Sequence, residues 1–443
     1  MPADNSCPLR PAANSPQTRP SRRDFLKTTS IAAVGLAGAA GIARSAHVAG
    51  SDVLKVGLVG CGGRGNGAAA QALKADPNTR LVALADPFAE KIQNTLEQLK
   101  KTPVASQVAV DADHCFDGFD GYQKVLASGV DVILLATPTH FRPMHLAAAV
   151  EAGAHVFCEK PVAVDAPGVR SILATCEAAK EKNLSIVSGL CWRYHPAVQA
   201  TIERVLDGAI GRIASIQETY LTGFLWHRGR QPGDTEMKYQ MRNWYYFTWL
   251  SGDHNVEQHV HSLDKALWAM GDEPPLRAWG TGGRQVRTDP MWGDIYDHHA
   301  VVYEYPDNIH VHAYCRQQGG CWRDTSDHFF GTQGHANILK NEIDGENPWK
   351  YDGPSGNMYD LEHEALFQSI RSGRPINNGQ YMAYSTMLAI LGRMVTYTGQ
   401  AITWDDAIND QTVLAPDRYT WDGTPPTLPG EDGRYPVAMP GVA

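Results

Sequence analysis

From residue 53 onward, short apolar runs alternate with amphipathic stretches, and each run ends at a polar or glycine-rich turn. Residues 53–59 predict a strand that enters the turn Gly60-Cys61-Gly62-Gly63-Arg64-Gly65, and the small-residue stretch 68–73 predicts a helix after it. Residues 81–85 predict a second strand ending at Asp86. Residues 130–136 predict a third, ending at Thr137-Pro138-Thr139-His140, and 155–158 a fourth, ending at Glu159-Lys160-Pro161. Between the last two, 145–151 reads as a helix. Residues 165–183 are amphipathic, with Val169, Ile172, Leu173, Cys176 and Ala179 on one stripe and Asp165 placed to cap the start. A further strand at 184–190 leads into Cys191-Trp192-Arg193-Tyr194-His195-Pro196. Strands alternating with helices in this way predict a parallel, doubly wound α/β sheet.

The pattern then changes. Residues 213–221 alternate like a sheet strand, and a loop rich in Arg, Gly and aromatics runs to about 247. A helix is predicted near 255–270, strands at 278–284, 300–305, 309–315 and 335–339, and late helices at 359–371 and 380–397. Many strands after one helix predict an α+β region built on a large, mostly antiparallel open sheet with helices on one face. The tail beyond about 410 is rich in Pro and Gly and is expected to wrap the surface. The expected organisation is an N-terminal segment 1–50, a dinucleotide-binding Rossmann domain 51–185, a substrate and oligomerisation domain 186–410, and a tail 411–443.

Composition narrows the partners. The 443 residues carry Lys+Arg 39 against Asp+Glu 48, a net charge of −9, with 43% hydrophobic and 20% charged residues. That is an ordinary globular balance, and the absence of a basic run excludes nucleic acid as the main partner. The 8 Cys are scattered with no C-x-x-C; Cys315 and Cys321 are the only close pair, and their bonding is left open. Arg22-Arg23 precedes an apolar run at 28–43 that is shorter than the roughly 20 residues of a membrane span. This resembles a twin-arginine export signal. It implies cleavage near Ala46 or Ala49, loss of Cys7 with the leader, a periplasmic destination, and no membrane span in the mature form.

The glycine turn has the form G-x-G-x-x-G at Gly60, Gly62 and Gly65, between a strand and a helix, with Asp86 at the end of the next strand. Gly60 permits the tight turn and Gly62 a close backbone approach to a pyrophosphate. Gly65 permits helix–strand packing, and the helix N-terminus favours the anion. Gly63 and Arg64 complete the turn. Asp86 is suited to the ribose hydroxyls of NAD and opposes a 2′-phosphate, while Arg64 beside a phosphate keeps NADP possible. Thr137, Pro138 and His140 lie at a strand's carboxyl end, where ligands of such sheets bind.

With this turn upstream, Glu159-Lys160-Pro161 resembles the glucose–fructose oxidoreductase/inositol dehydrogenase/rhizopine-catabolism (Gfo/Idh/MocA) family over most of residues 52–400. The resemblance implies that Lys160 reaches both the nicotinamide ribose and the reacting hydroxyl, with Glu159 beside the cofactor. It also implies an acid-x-x-x-His-x-x-Asp motif at Glu257, His261 and Asp264, with His261 the general acid/base, Glu257 its orienting carboxylate one helical turn earlier, and Asp264 a support. Glu257 stands where the family has Asp. The implied activity is hydride transfer between a sugar or cyclic polyol and a tightly held NAD(P), in a dimer or tetramer formed through the open sheet face. The rival activity within the family is an NAD-dependent glycoside hydrolase; a rival from another class is a redox-silent carbohydrate-binding protein.

Arg193, Tyr194 and His195, next to Trp192, and Trp244 and Tyr245, next to Tyr246 and Trp249, are read as a substrate wall around His261. Aromatic faces stack on sugar C–H surfaces, and Arg forks across vicinal hydroxyls. Asp253, His254, Glu257, His259 and His261 are of metal-ligand type, but their spacing is not that of H-E-x-x-H, and no metal is assigned. Alternation puts His310 and His312 on one sheet face, and Asp297-His298-His299 lies on a neighbouring strand.

Overall fold

The structure, a computed structural model, describes residues 53–442; the twin-arginine motif, its cleavage site and Cys7 lie outside the described residues. The first sheet comprises β1 (Leu54–Val59), β2 (Thr79–Asp86), β3 (Cys115–Asp117), β4 (Val132–Leu135), β5 (His155–Cys158) and β6 (Ile186–Ser188). Their order is β3-β2-β1-β4-β5-β6, every neighbouring pair parallel. The central strands are apolar throughout because helices cover both faces: Val132 to Leu135 and Val156 to Cys158 are fully buried. This is the doubly wound sheet expected from the sequence, and β6 completes it just past residue 185. Asp165 does cap the helix Ala166–Glu181, its Oδ1 accepting from the Gly168 N–H at 2.9 Å. The helix Ala89–Leu99 escapes the apolar pattern because only Ile92, Thr95, Leu96 and Leu99 of it are buried.

The second sheet has nine strands: β7 (Ile213–Thr222), β8 (Arg277–Gly283), β9 (His298–Tyr305), β10 (Ile309–Gln317), β11 (Asp324–Gly331), β12 (Gly334–Asn337), β13 (Glu342–Gly345), β14 (Trp349–Lys350) and β15 (Ile402–Thr403). Their order is β14-β13-β12-β11-β7-β10-β9-β8-β15, antiparallel except for β7 beside β10. Helices Val260–Ala269 and Gly379–Thr398 pack on one face. Inward-facing Val301, Tyr303, Val311 and Ala313 meet Met382, Met387 and Leu391 in a core that continues beneath the first sheet through Ile172 and Cys176. The other face carries His310 and His312, rings 6.0 Å apart as alternation requires, and Tyr314 beside them. Burying one such apolar side chain stabilises by about 1.5–3 kcal/mol, so the fold rests on the two helix–sheet layers.

Four buried histidines are held neutral mainly by burial: His140 and His254 at about 4, His145 and His259 at about 3. In the unfolded chain each would titrate near 6.5. Between these values the unfolded state binds protons the folded state refuses. Their contribution is therefore complete above about 6.5 and lost as pH falls, at up to about 1.4 kcal/mol per pH unit for each. His261 and His363, also held well below the ordinary range by burial, add to this loss, while Asp294, raised to about 6, and Glu218 and Glu362, raised well above the carboxylate range, act in the opposite sense. Urea unfolding at pH 7 and pH 5 should show a loss of several kcal/mol at the lower pH; equal stability would contradict this reading.

Candidate dinucleotide and catalytic site

The chain leaves β1 into the glycine turn. Gly60 has φ +100°, and a Cβ there would stand 2.5 Å from the Ala136 carbonyl carbon; one on Gly65 would stand 1.8 Å from the Gly60 oxygen. Protein packing alone therefore requires these two glycines. Gly62 and Gly63 differ: a Cβ on either meets nothing within 4 Å. They line a groove of about 310 Å³ at the start of the helix Gly63–Ala75, where free backbone N–H groups and the helix dipole suit a phosphate. The space that a side chain would fill fits a pyrophosphate. Asp86 faces the same groove from the end of β2. Its Oδ2 accepts from the Cys61 N–H at 2.8 Å, its Oδ1 from the Phe88 N–H at 3.0 Å, and the Lys91 ammonium is 3.9 Å away. Burial raises its pKa; Lys91 and the two N–H donors oppose that rise. Thr137 and Pro138 line the groove as expected.

Arg64 and His140, the other two expected there, differ in placement. Arg64 lines the groove, but its guanidinium turns to Glu159, to Glu362 Oε1 at 3.0 Å and to Gln71 Oε1 at 2.8 Å, stacked over Tyr359. Arg64 thus ties Glu159 and Glu362 to the turn while lining the groove. His140 does not line the groove. The short turn Thr139–Phe141 carries its ring under Trp249, where Nε2 meets the Tyr419 hydroxyl at 2.8 Å.

A second cavity, of about 260 Å³, adjoins the first, and Arg64, Ala136, Thr137 and Trp244 line both. It holds Glu159, Lys160, Glu257 and His261. Lys160, just past β5, donates to the Glu257 backbone oxygen and lies 3.1 Å from Glu257 Oε1. Arg142, absent from the sequence-based candidates, also lines this cavity. Its guanidinium donates to the Thr137 oxygen at 2.6 Å and to the Pro161 oxygen, tying together the turns after β4 and β5. The signal was an Arg in the first helical turn after a strand-end loop.

The expected pairing of Glu257 with His261 is not made. The predicted helix breaks at Gln258 (φ −112°, ψ −46°) into His254–Glu257 and Val260–Ala269, so the two side chains no longer share one continuous face. Glu257 goes to Lys160. His261 keeps a buried Nδ1 without a hydrogen-bond partner among the described residues. Its pKa lies well below the ordinary histidine range, first through burial and then through the charges of Lys160, Lys265 and Arg64. Asp264 turns away from the cavity to Arg193 and to the Ser385 hydroxyl at 2.8 Å.

Much of the expected substrate wall lies elsewhere. Arg193 is locked between Asp264 (2.9 Å) and Asp272 (2.6 Å) and stacked on Tyr381 and Trp268. Tyr194 donates to Asn378 Oδ1 at 2.8 Å, and His195 caps the helix Pro196–Leu206. None of the three lines either cavity, because the turn after β6 runs into the packing between helices. Tyr245 is buried behind the cavity, its hydroxyl accepting from Gln317 Nε2 at 2.7 Å. Trp244 does face both cavities, joined by Trp226 and Arg228 over the groove and Tyr359 over the reaction cavity.

The five metal-type residues are likewise separated. His259 Nδ1 goes to Asn255 Oδ1 at 3.0 Å. Asp253 and His254 instead meet His299 of β9, their ligand-type atoms within 4.8 Å of one another. Asp253 there is already bonded by the Tyr397 hydroxyl (2.5 Å), the Tyr296 N–H (3.0 Å) and His299 Nε2 (3.1 Å). Cys315 and Cys321 are free thiols, one buried and one exposed.

Residues 54–188 match the Gfo/Idh/MocA model, described as an oxidoreductase family with an NAD-binding Rossmann fold. The chain is 26% identical over 249 residues (56% of this chain, 63% of the relative) to inositol 2-dehydrogenase of Rhizobium meliloti. It is 25% identical over 268 residues (60% and 62%) to 2,7-anhydro-N-acetylneuraminate hydratase of Mediterraneibacter gnavus. These matches span less than two thirds of either relative's length. In fold, the chain is similar to a levoglucosan dehydrogenase solved with NADH and levoglucosan: TM-score 0.61, 19% identity, 80% of this chain and 99% of that one.

Proposed function

We propose that this chain, whose residues 54–188 form an NAD-binding Rossmann domain of the Gfo/Idh/MocA oxidoreductase family, transfers a hydride between a hydroxyl-bearing carbon of a sugar or cyclic polyol and a tightly held NAD(P). The observation that carries this reading is the joining of the two cavities: Lys160 and His261 stand in one that opens directly onto the glycine-lined groove. Bound dinucleotide supplies the hydride acceptor. His261, unprotonated well below neutral pH, accepts the proton of the substrate hydroxyl. The Lys160 ammonium stabilises the alkoxide that develops as the proton leaves, and Glu257 holds that ammonium in place. Trp244 offers an aromatic face to the sugar ring. Asp86 favours NAD, with NADP the lesser partner.

Tight retention is supported by the roof over the groove. Trp226 and Trp244 cover it from the second half of the chain, and the tail's Trp421 packs on Phe88 and Phe119 at the groove's far end, centroids 5.0 and 4.9 Å apart. A recycled cofactor suits an exported enzyme, the destination that Arg22-Arg23 implies. The outer face of the nine-stranded sheet, with Tyr314 and Phe330 exposed, suits assembly into a dimer or tetramer.

A second reading, an NAD-dependent glycoside hydrolase that oxidises, eliminates, hydrates and reduces again, is favoured by Glu257, a further carboxylate in the reaction cavity able to move a proton in the elimination. One experiment separates the two. The purified protein is denatured, released dinucleotide is identified and counted by mass, and sugars and glycosides are screened without added cofactor. About one NAD(H) per subunit with acceptor reduction supports the oxidoreductase; aglycone release without net redox supports the hydrolase. No bound dinucleotide, and no binding on titration, overturns both.

A further inference from the structure

Behind the catalytic helix lies a group of charges that the reaction outlined above does not use. Lys265 is 1% exposed, and Asp327 and Glu218 are fully buried. Asp327 on β11 stands directly opposite Glu218 on β7 in the sheet register, both pointing under the helix Val260–Ala269. Two like charges opposed in a dry interior repel, and each costs desolvation. Lys265 answers one of them: its Nζ is 3.0 Å from Asp327 Oδ2. The other is answered by a proton. Burial and the charge of Asp327 opposite raise the Glu218 carboxyl well above the usual range, so it keeps its proton. The group is thus one cation, one anion and one neutral acid. Apolar residues of the same volume would generally hold such an interior as well or better, so packing does not explain why the charges are there.

Their outward connection does. The same Lys265 Nζ donates to the backbone oxygen of His261 at 2.6 Å, and it lies 5.4 Å over the Trp192 ring. His261 sits in the first turn of its helix, next to the break at Gln258, where its N–H is held by a bond of 3.2 Å to the Gln258 oxygen, three residues back, in place of the regular four-residue helical bond. Resting on the reading of His261 as general base, we propose that Lys265 is a positioning residue: anchored by Asp327 and Glu218, it fixes the His261 backbone so that the imidazole projects into the reaction cavity. Its charge also acts on the ring. The charged groups around His261 are Lys160, Arg64, Arg142, Glu159 and Glu257 on the cavity side and Lys265 behind, and Lys160, Lys265 and Arg64 are the ones that hold its pKa down. The titratable groups around Lys265 are Asp327, Glu218, His259 and His261 itself.

The test is Lys265→Met in the full chain, which keeps the side chain's length and removes the donor and the charge. In the oxidation direction kcat should fall tenfold or more with KM within about twofold, and the acid limb of kcat/KM should move up by about one pH unit. Lys265→Arg, which keeps the charge and a donor, should recover part of kcat and return the limb. The double variant K265Q/D327N removes both charges and leaves two neutral hydrogen-bonding groups, so it tests the anchor where the single variant does not fold; it too should lose kcat. An independent readout needs no activity: the His261 imidazole resonance, identified by its loss in H261N, should titrate about one pH unit higher in K265M. A folded K265M with unchanged kcat and an unchanged His261 titration overturns the proposal. A wild-type protein inactive on every sugar, but with the His261 shift present, would instead count against the assigned reaction and leave Lys265 as the group that sets His261.

Discussion

Lys160→Met should reduce kcat for sugar oxidation by about 10³-fold or more while leaving the dinucleotide bound. The magnitude follows from what an ammonium does beside a developing alkoxide in a cavity with little water: losing one such donor costs on the order of 10²–10³ in kcat, and losing a group that also assists proton transfer costs more. The elements proposed to hold the phosphates lie elsewhere, at Gly62, Gly63 and the start of the helix Gly63–Ala75. The mass-counted NAD(H) per subunit should therefore stay near the wild-type value. One complication is built into the site. Removing Lys160 leaves Glu257, its side chain only 12% exposed, without its 3.1 Å partner, and an uncompensated carboxylate in such a place destabilises by about 3–5 kcal/mol. The double variant K160M/E257Q removes both charges and should regain that stability without regaining activity. Recovery of kcat in the double variant would mean that Lys160 serves the fold and not the chemistry.

The parts of this site that the sequence made legible are those carried by the backbone's own rules. An apolar run ending at a glycine turn, at Asp86, at Thr137-Pro138 or at Glu159-Lys160 announces a strand whose carboxyl end is suited to a ligand, and each of these ends lines one cavity or the other. The errors arise where a distant partner decides. Arg193 among aromatics reads as a sugar clamp, yet its partners Asp264, Asp272 and Tyr381 are all far along the chain, and local pattern carries no sign of them. The helix around Glu257 has no Gly or Pro to mark its break at Gln258. Lys160 holds the Glu257 carbonyl there, so the break is a tertiary effect. β11 escapes the apolar pattern because Asp327, two residues before the core residue Phe329 on the same inward face, stands where alternation calls for an apolar side chain. That departure from alternation is the same feature that anchors Lys265: a rule of patterning broken where the function needs a charge.

His261→Asn should lower kcat by about 10²–10⁴-fold, the range of a positioned general base, again with the cofactor count intact. Its sharper signature is in the pH dependence of the wild-type enzyme. Burial and the charges of Lys160, Lys265 and Arg64 all disfavour the imidazolium, so the ring stays unprotonated as pH falls through 6.5, where an ordinary histidine would take up a proton. In the oxidation direction the base must be unprotonated. The acid limb of kcat/KM should therefore lie well below 6.5, measured on a slow substrate for which chemistry limits the rate. In H261N that limb should vanish, since the group that titrates is gone. A wild-type limb at 6.5 would mean that the ring is solvated and unopposed by the lysines, contrary to the geometry. A limb that survives in H261N would assign the base to another cavity group, Glu257 first, because it is the acceptor nearest to Lys160. The two profiles together decide which of the two residues takes the proton.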